Sequence, residues 1–144
     1  MDLDAVTFPA LIVAEDGWVD YLASVAQLEK WTNTAIKKYN KRRVLLYDCS
    51  DHAWLVESIV SRARRKLFVR LIHAVYNPKT PVQISVRPIT ECPTETVRDA
   101  LLLIIDKDDD VLTQHTEASD LKTEIQHAAS FKAVVQALRA ARAI

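Results

Sequence analysis

The chain of 144 residues contains a single glycine, Gly17, and this scarcity excludes several kinds of chemical site. P-loops, dinucleotide-binding fingerprints and nucleophile elbows all need glycines where the backbone turns sharply or approaches a phosphate. The two cysteines, Cys49 and Cys92, are too few for a disulfide scaffold. We therefore expect a cytoplasmic protein, kept in a reducing compartment, that uses no cofactor.

The chain also lacks a long apolar run and a net charge. No stretch approaches the roughly 20 apolar residues that span a bilayer, and the acidic N-terminus is unlike a secretory signal, so we expect no membrane association. The charges nevertheless segregate along the chain. Residues 37–70 hold ten Lys or Arg against three acids, and residues 91–124 hold ten acids against three Lys or Arg. Such segregation favours association with charged partners.

Apolar runs and alternating patterns predict about five mostly antiparallel strands. Residues 8–14 and 18–23 read as a hairpin joined at Asp16 and Gly17. The remaining strands are predicted over residues 44–47, 53–60 and 81–88. This pattern is typical of a sheet that packs against helices in one layer.

Three- and four-residue spacing of apolar side chains predicts the helices. One helix runs from a cap at Ser24 to about Tyr39, between the second and third strands. A C-terminal group of about three helices begins near Thr94, near Glu117 and after Ser130. Residues 64–76 fit either a helix or a strand, and the spacing favours a helix. The chain is therefore predicted to be a single α+β domain over residues 1–144.

Several features follow one another in a recognisable order. Phe8 and Pro9 open the first strand, Trp18 opens the second, residues 46–48 precede a turn, and residues 128–131 precede the last helix. In this order the chain resembles small, stand-alone, mostly uncharacterised bacterial α+β proteins, some of the immunity (toxin-neutralising) type. The resemblance implies an α+β layout and one protein partner, and it carries over no catalytic residues.

An acidic run is the stretch that looks most like a chemical site. Four acids fall at positions 1, 3, 5 and 12 of a twelve-residue calcium loop, namely Asp106, Asp108, Asp110 and Glu117. Position 6 of such a loop needs a glycine with positive φ, and this chain has Val111 there. We therefore predict no metal site and interpret the run as a solvated connection between two helices.

A second cluster combines potentially reactive side chains within five residues, namely Asp48, Cys49, Asp51 and His52. One interpretation is a small metal- or thiol-dependent enzyme centred there. Zinc would need Cys92 and one of His73, His115 and His127 as further ligands. A catalytic pair of Cys49 and His52 would need a lowered thiol pKa and a third, orienting group. The other interpretation is a turn in which Asp and Ser bond to the local backbone.

The densest basic patch follows the fourth predicted strand and comprises Arg62, Arg64, Arg65, Lys66 and Arg70. Arginine forks bind phosphate or carboxylate groups, so an RNA or an acidic protein surface would suit this patch. Because the whole chain is not basic, we favour a nucleic-acid partner less than a protein partner.

These observations together predict a protein-binding module that occludes one partner by shape and charge, without catalysis. The first candidate surface is acidic and comprises Asp106, Asp108, Asp109, Asp110 and Glu117. The second is basic and comprises Arg62, Arg64, Arg65 and Lys66. The alternatives are an enzyme at residues 48–52 and an RNA-binding module at residues 62–70. A homodimer formed through the alanine-rich C-terminal helix is a further prediction.

Overall fold

The computed structural model describes residues 1–63, 75–107 and 109–144, and for Asp109 and Asp110 it describes the backbone alone. These residues form a single α+β domain with a curled antiparallel sheet and a C-terminal group of helices, which confirms the predicted fold class. The strands are β1 (Ala10–Ala14), β2 (Val19–Leu22), β3 (Lys30–Thr32), β4 (Val44–Asp48), β5 (Ala53–Ser61) and β6 (Lys79–Ile89). The helices are α1 (Asn33–Tyr39), α2 (Pro93–Lys107), the single turn α3 (Asp109–Leu112), α4 (Ala118–His127) and α5 (Phe131–Ala140).

The six strands lie in the order β2-β1-β4-β5-β6-β3, and each neighbouring pair is antiparallel. The central strands β1 and β4 are buried along their whole length because both faces of the sheet are covered. On one face, Leu11, Leu45 and Tyr47 pack against α2, α4 and α5. On the other face, Ile12 and Leu46 belong to a second apolar cluster that the curl of the sheet encloses.

The curl brings the two edges of the sheet together. Trp18 immediately precedes the edge strand β2, and Trp31 lies in the opposite edge strand β3. Their ring centroids are 5.6 Å apart in an edge-to-face arrangement, and the ring of Tyr39 from α1 contacts both. These three aromatic side chains therefore close the curled sheet at this point.

The turn between β1 and β2 requires the single glycine. Gly17 adopts φ +96°, a backbone conformation that side chains with a Cβ rarely take. A Cβ added there would lie 3.2 Å from Cγ1 of Val111, which is closer than ordinary van der Waals contact. The predicted hairpin is thus confirmed, and its turn packs directly against the connection after α2.

The predicted helix over residues 24–39 is wrong in its first half. A short 3-10 helix is followed by the strand β3, and α1 begins only after Thr32, whose side chain accepts a hydrogen bond from a backbone N–H of its first turn. Trp31 is buried because it pairs with Thr80 of β6 and its indole N–H donates to the Leu28 carbonyl at 2.9 Å. The spacing of Leu28 and Trp31 imitates a helix, although a distant strand causes the burial. The sheet therefore has six strands rather than five.

The C-terminal prediction agrees closely with the structure. Ser130 caps α5 by accepting a hydrogen bond from the Ala133 N–H, and Val134 and Leu138 are fully buried against the sheet. The helix-or-strand question over residues 64–76 falls mainly on residues 64–74, which lie outside the described residues. None of the described helices is both long and apolar enough to cross a membrane.

Candidate functional site

Asp48 ends β4 and is completely buried, which is unusual for a carboxylate. Its two oxygens accept four hydrogen bonds. The donors are the backbone N–H groups of Thr7 (3.3 Å), Ser50 (2.9 Å) and His52 (3.0 Å), and the indole N–H of Trp54 (2.9 Å). The carboxylate therefore joins the N-terminal segment, the turn and β5, and its acceptor capacity is used within the fold.

Asp51 also accepts hydrogen bonds from inside the fold, and one of its donors is at the start of α5. It adopts φ 62°, and its Oδ1 atom accepts from the Phe131 backbone N–H at 2.6 Å and from the Tyr47 hydroxyl at 3.1 Å. The same hydroxyl lies 2.9 Å from Oγ1 of Thr94. Burial, together with the Asp51 carboxylate, raises the pKa of Tyr47 to about 12, although the Thr94 hydrogen bond opposes this. The turn thus ties β4 to both α2 and α5.

Cys49 and His52 do not form a nucleophile–base pair. The Cys49 thiol points to the Thr7 carbonyl at 3.9 Å, whereas the exposed His52 ring packs edge-on against Trp54 and lies 3.7 Å from Asp48. The thiol and the imidazole therefore have different partners. The other cysteine is also exposed, and a hydrogen bond with Glu95 raises the pKa of the Cys92 thiol, which disfavours the reactive thiolate.

Metal ligands are not grouped in the part of the chain that the structure describes. Among the residues described, no group of three or more His, Cys, Asp or Glu side chains is placed to hold a metal ion. Asp106 lies in the last turn of α2 and forms an ion pair with Lys122 of α4. The backbone is helical again from Asp109, and Glu117 precedes α4 as an exposed residue. A run that is helical on both sides of residue 108 does not follow the loop path that a calcium site requires.

Parts of the two surfaces that the sequence predicts lie outside the residues that the structure describes. The side chains of residues 108–110 lie outside the described residues, and Asp106 already has a cation beside it. In the basic patch, Arg62 is exposed at the end of β5 and its backbone N–H donates to Pro81, while residues 64–66 lie outside the described residues. Both surfaces therefore stay predictions.

A groove along α2 is the feature that sequence reasoning missed. It has a volume of about 440 Å³ and runs between α2 and the ends of β1 and β4. Its apolar lining is provided by Val13, Leu45, Ala100, Leu103 and Ile104. Leu103 is 52% exposed in the middle of this helix, whereas Leu101, two residues earlier, is fully buried. We call this feature the α2 groove.

Charged side chains surround the apolar centre of the α2 groove. Glu15 and Asp99 contribute negative charges, and Arg43 and Lys107 contribute positive charges. All four are exposed, and none takes part in an ion pair with another described residue. The α2 groove therefore offers an apolar surface and both signs of charge to a binding partner.

One sequence signal points to Leu103. The buried stripe of α2 faces the core and consists of Val97, Leu101, Ile104 and Ile105. Leu103 lies off this stripe. An aliphatic residue on the polar side of an amphipathic helix is visible without a structure. The shape of the groove is not, because β1 and β4 form its other wall.

No protein-family model, no curated protein and no solved structure matches the chain. The resemblance to immunity-type proteins therefore stays a prediction.

Proposed function

We propose that this protein is a non-catalytic binding module that holds one protein partner in the α2 groove. The observation that carries the proposal is Leu103, an aliphatic side chain that lines the groove and is about half exposed. The other large apolar residues of the lining, Val13, Leu45 and Ile104, are buried, so Leu103 supplies the accessible anchor. The partner would insert an apolar side chain beside Leu103 and pair with the charges around it. Binding would act by covering the partner's own surface, without turnover.

The composition of the α2 groove supports this proposal. Protein interfaces combine an apolar centre with a polar, solvated rim, and aliphatic or aromatic anchors contribute most of the binding free energy. The groove has both parts, and none of its four charged lining residues forms an ion pair within the described part of the chain. Each charge can therefore pair with a partner without first breaking an internal ion pair.

The acidic run that the sequence predicts is close to the groove in the sequence. Lys107 lines the groove and Asp106 precedes it, so residues 106–110 continue from one end of α2. In the proposal, the acidic run steers a basic partner and the groove holds it. Such a division would suit a neutralising or regulatory role.

The proposed setting is the cytoplasm, which agrees with two exposed free cysteines. The homodimer through α5 is not needed for this function. Ala137 and Ala141 of the alanine-rich segment are buried in the core, and Ala133 is partly covered by it. The dimer stays a separate prediction.

Site-specific photo-crosslinking in the protein's own cells tests the proposal. A photoreactive amino acid at position 103 should give one discrete adduct with a single polypeptide. Position 60 is the matched control because Val60 is 59% exposed on β5, away from the groove. Adducts of the same kind from both positions, or none from position 103, would contradict the proposed interface.

A further inference from the structure

A second cleft lies where the two edges of the curled sheet meet. It has a volume of about 350 Å³, which falls within the range of roughly 300–1,000 Å³ that is usual for small-ligand sites. Trp18, Trp31 and Tyr39 form its aromatic wall, and Lys30 and Lys79 form its basic side. We call it the aromatic cleft. It shares no lining residue with the α2 groove.

The aromatic wall has the chemistry of a stacking surface. The three rings contact one another at centroid distances of 5.0–5.6 Å, so each ring is held in place by the other two. Trp31 is buried, whereas Trp18 and Tyr39 are partly exposed. A planar ligand group would meet rings that are already fixed, and its binding would cost little additional side-chain ordering.

The pairing of β3 with β6 brings the basic residues of the cleft together. In the β3–β6 register, Thr32 lies opposite Lys79 and Lys30 lies opposite Pro81. The Arg62 backbone N–H donates to Pro81 from the other side at 2.8 Å, so three exposed cations gather at one corner of the sheet. With strands about 4.8 Å apart, the Cα atoms of Arg62 and Lys30 lie roughly 10 Å from each other.

The nearby acid does not cancel this charge. Asp16 accepts a hydrogen bond from the Tyr39 hydroxyl at 3.3 Å, and Lys38 forms an ion pair with the same carboxylate at 2.5 Å. Burial is the largest single influence on Asp16 and raises its pKa, but the hydrogen bonds from Lys38, the Trp18 N–H and Tyr39, together with the Lys38 charge, outweigh burial. The pKa of Asp16 is therefore lowered, and the carboxylate stays paired with its cation. Lys30 and Lys79 take part in no ion pair with another described residue.

We propose that the aromatic cleft binds single-stranded nucleic acid. Exposed bases would stack on Trp18, because the Lys38 ammonium already lies over the Tyr39 ring at 4.9 Å from its centroid. The phosphates would lie against Lys30, Lys79 and Arg62. Proteins that bind single strands combine these two elements, aromatic rings for the bases and a basic path for the backbone.

This inference does not rest on the proposed protein-binding function, and its experiment is separate. Fluorescence anisotropy would follow binding of the purified full chain to labelled dT and U oligonucleotides of about 15 nucleotides, a length suited to such sites. Affinity should fall steeply between about 50 mM and about 200 mM salt, and a duplex of equal length should bind about tenfold more weakly.

Charge reversal tests the residues. Lys30→Glu and Lys79→Glu should each lower the affinity about tenfold and reduce the salt dependence by about one phosphate contact. Lys132→Glu is the matched control because Lys132 is exposed on α5, outside the cleft, and it should change affinity by about twofold at most. Thermal unfolding of each variant should match the parent protein, since all three lysines are on the surface.

Three observations together would support the proposal. The protein binds DNA or RNA, both cleft variants weaken this binding, and the control variant does not. The proposal would be overturned by an absence of oligonucleotide binding at low salt. An equal loss in the Lys132→Glu protein, or a preference for the duplex, would overturn it as well.

Discussion

The Asp48–His52 turn and the α2 groove use their chemical groups in opposite ways. The turn contains the side chains that look reactive in the sequence, yet Asp48 accepts four hydrogen bonds and Asp51 accepts two from inside the fold. The α2 groove contains no recognisable motif, yet it leaves four charges and Leu103 open to a partner.

The acidic side chains of the turn form hydrogen bonds within the fold, whereas the charged side chains that line the groove form no ion pair with another described residue. Among the described residues, no buried side-chain nitrogen or oxygen lacks a hydrogen-bond partner. A buried polar group with full bonding is stabilised by the fold and has little left for a ligand. The bonding of Asp48 and Asp51 inside the fold therefore distinguishes the turn from the groove, although Cys49 and His52 of the turn are themselves exposed.

The largest expected effect is the loss of Asp48. Asp48→Ala would leave the Trp54 indole N–H and the backbone donors of the turn without their acceptor, and should lower the free energy of unfolding by about 3–4 kcal/mol. Asp48→Asn keeps one acceptor oxygen and should cost roughly half as much. Urea denaturation measures both. A loss below about 1 kcal/mol in the alanine variant would show that the turn is not a structural element.

The next effect concerns binding. Leu103→Glu should weaken association with the crosslinked partner by at least about tenfold, because a carboxylate would enter an apolar centre. Stability should change by less than about 0.5 kcal/mol, since the side chain is half exposed. Val60→Glu is the control, with a similarly exposed starting residue. Equal weakening by both variants, measured by surface binding kinetics, would remove the specific role of the groove.

A smaller effect depends on pH. Because the pKa of Tyr47 is raised to about 12 in the folded state and is about 10 in an unfolded chain, its contribution to stability is complete below pH 10. That contribution is lost as the pH rises through 12. Tyr47→Phe should be about 1 kcal/mol less stable at pH 8, through its lost hydrogen bonds, and the difference should shrink towards pH 12. A constant difference between the two proteins across this range would contradict the assignment.

The smallest effect is on the association rate. Replacing the aspartates at residues 108–110 with lysine should slow association with a basic partner several-fold at low salt, and should have little effect at high salt. Reversal of three exposed acids elsewhere, Asp4, Asp20 and Glu91, is the matched control. Unchanged association rates in the loop variant would remove the proposed steering role of the acidic run.

Much of the fold follows from the sequence because its signals are local. Residues adjacent in the sequence are enough to predict the apolar strands β1 and β4 and the cap at Ser130. The structure confirms all three. The error at β3 arises because Trp31 is buried by pairing with Thr80, which is distant in sequence. A local pattern cannot distinguish this burial from that of a helix face.

The candidate site was less predictable because it too depends on contacts between residues that are distant in the sequence. Residues 48–52 look reactive as a group, but the role of Asp48 depends on Thr7 and on the later Trp54. The α2 groove depends on how a C-terminal helix packs against β1. Only Leu103 is visible in advance, as a residue outside the buried stripe of its helix.

The most direct test places the same photoreactive amino acid at position 103 in one protein and at position 52 in another. Both positions are exposed, and the His52 side chain is 66% accessible. If the α2 groove binds the partner and the turn is structural, position 103 gives a discrete adduct and position 52 gives none. An adduct from position 52 together with no adduct from position 103 would contradict the account.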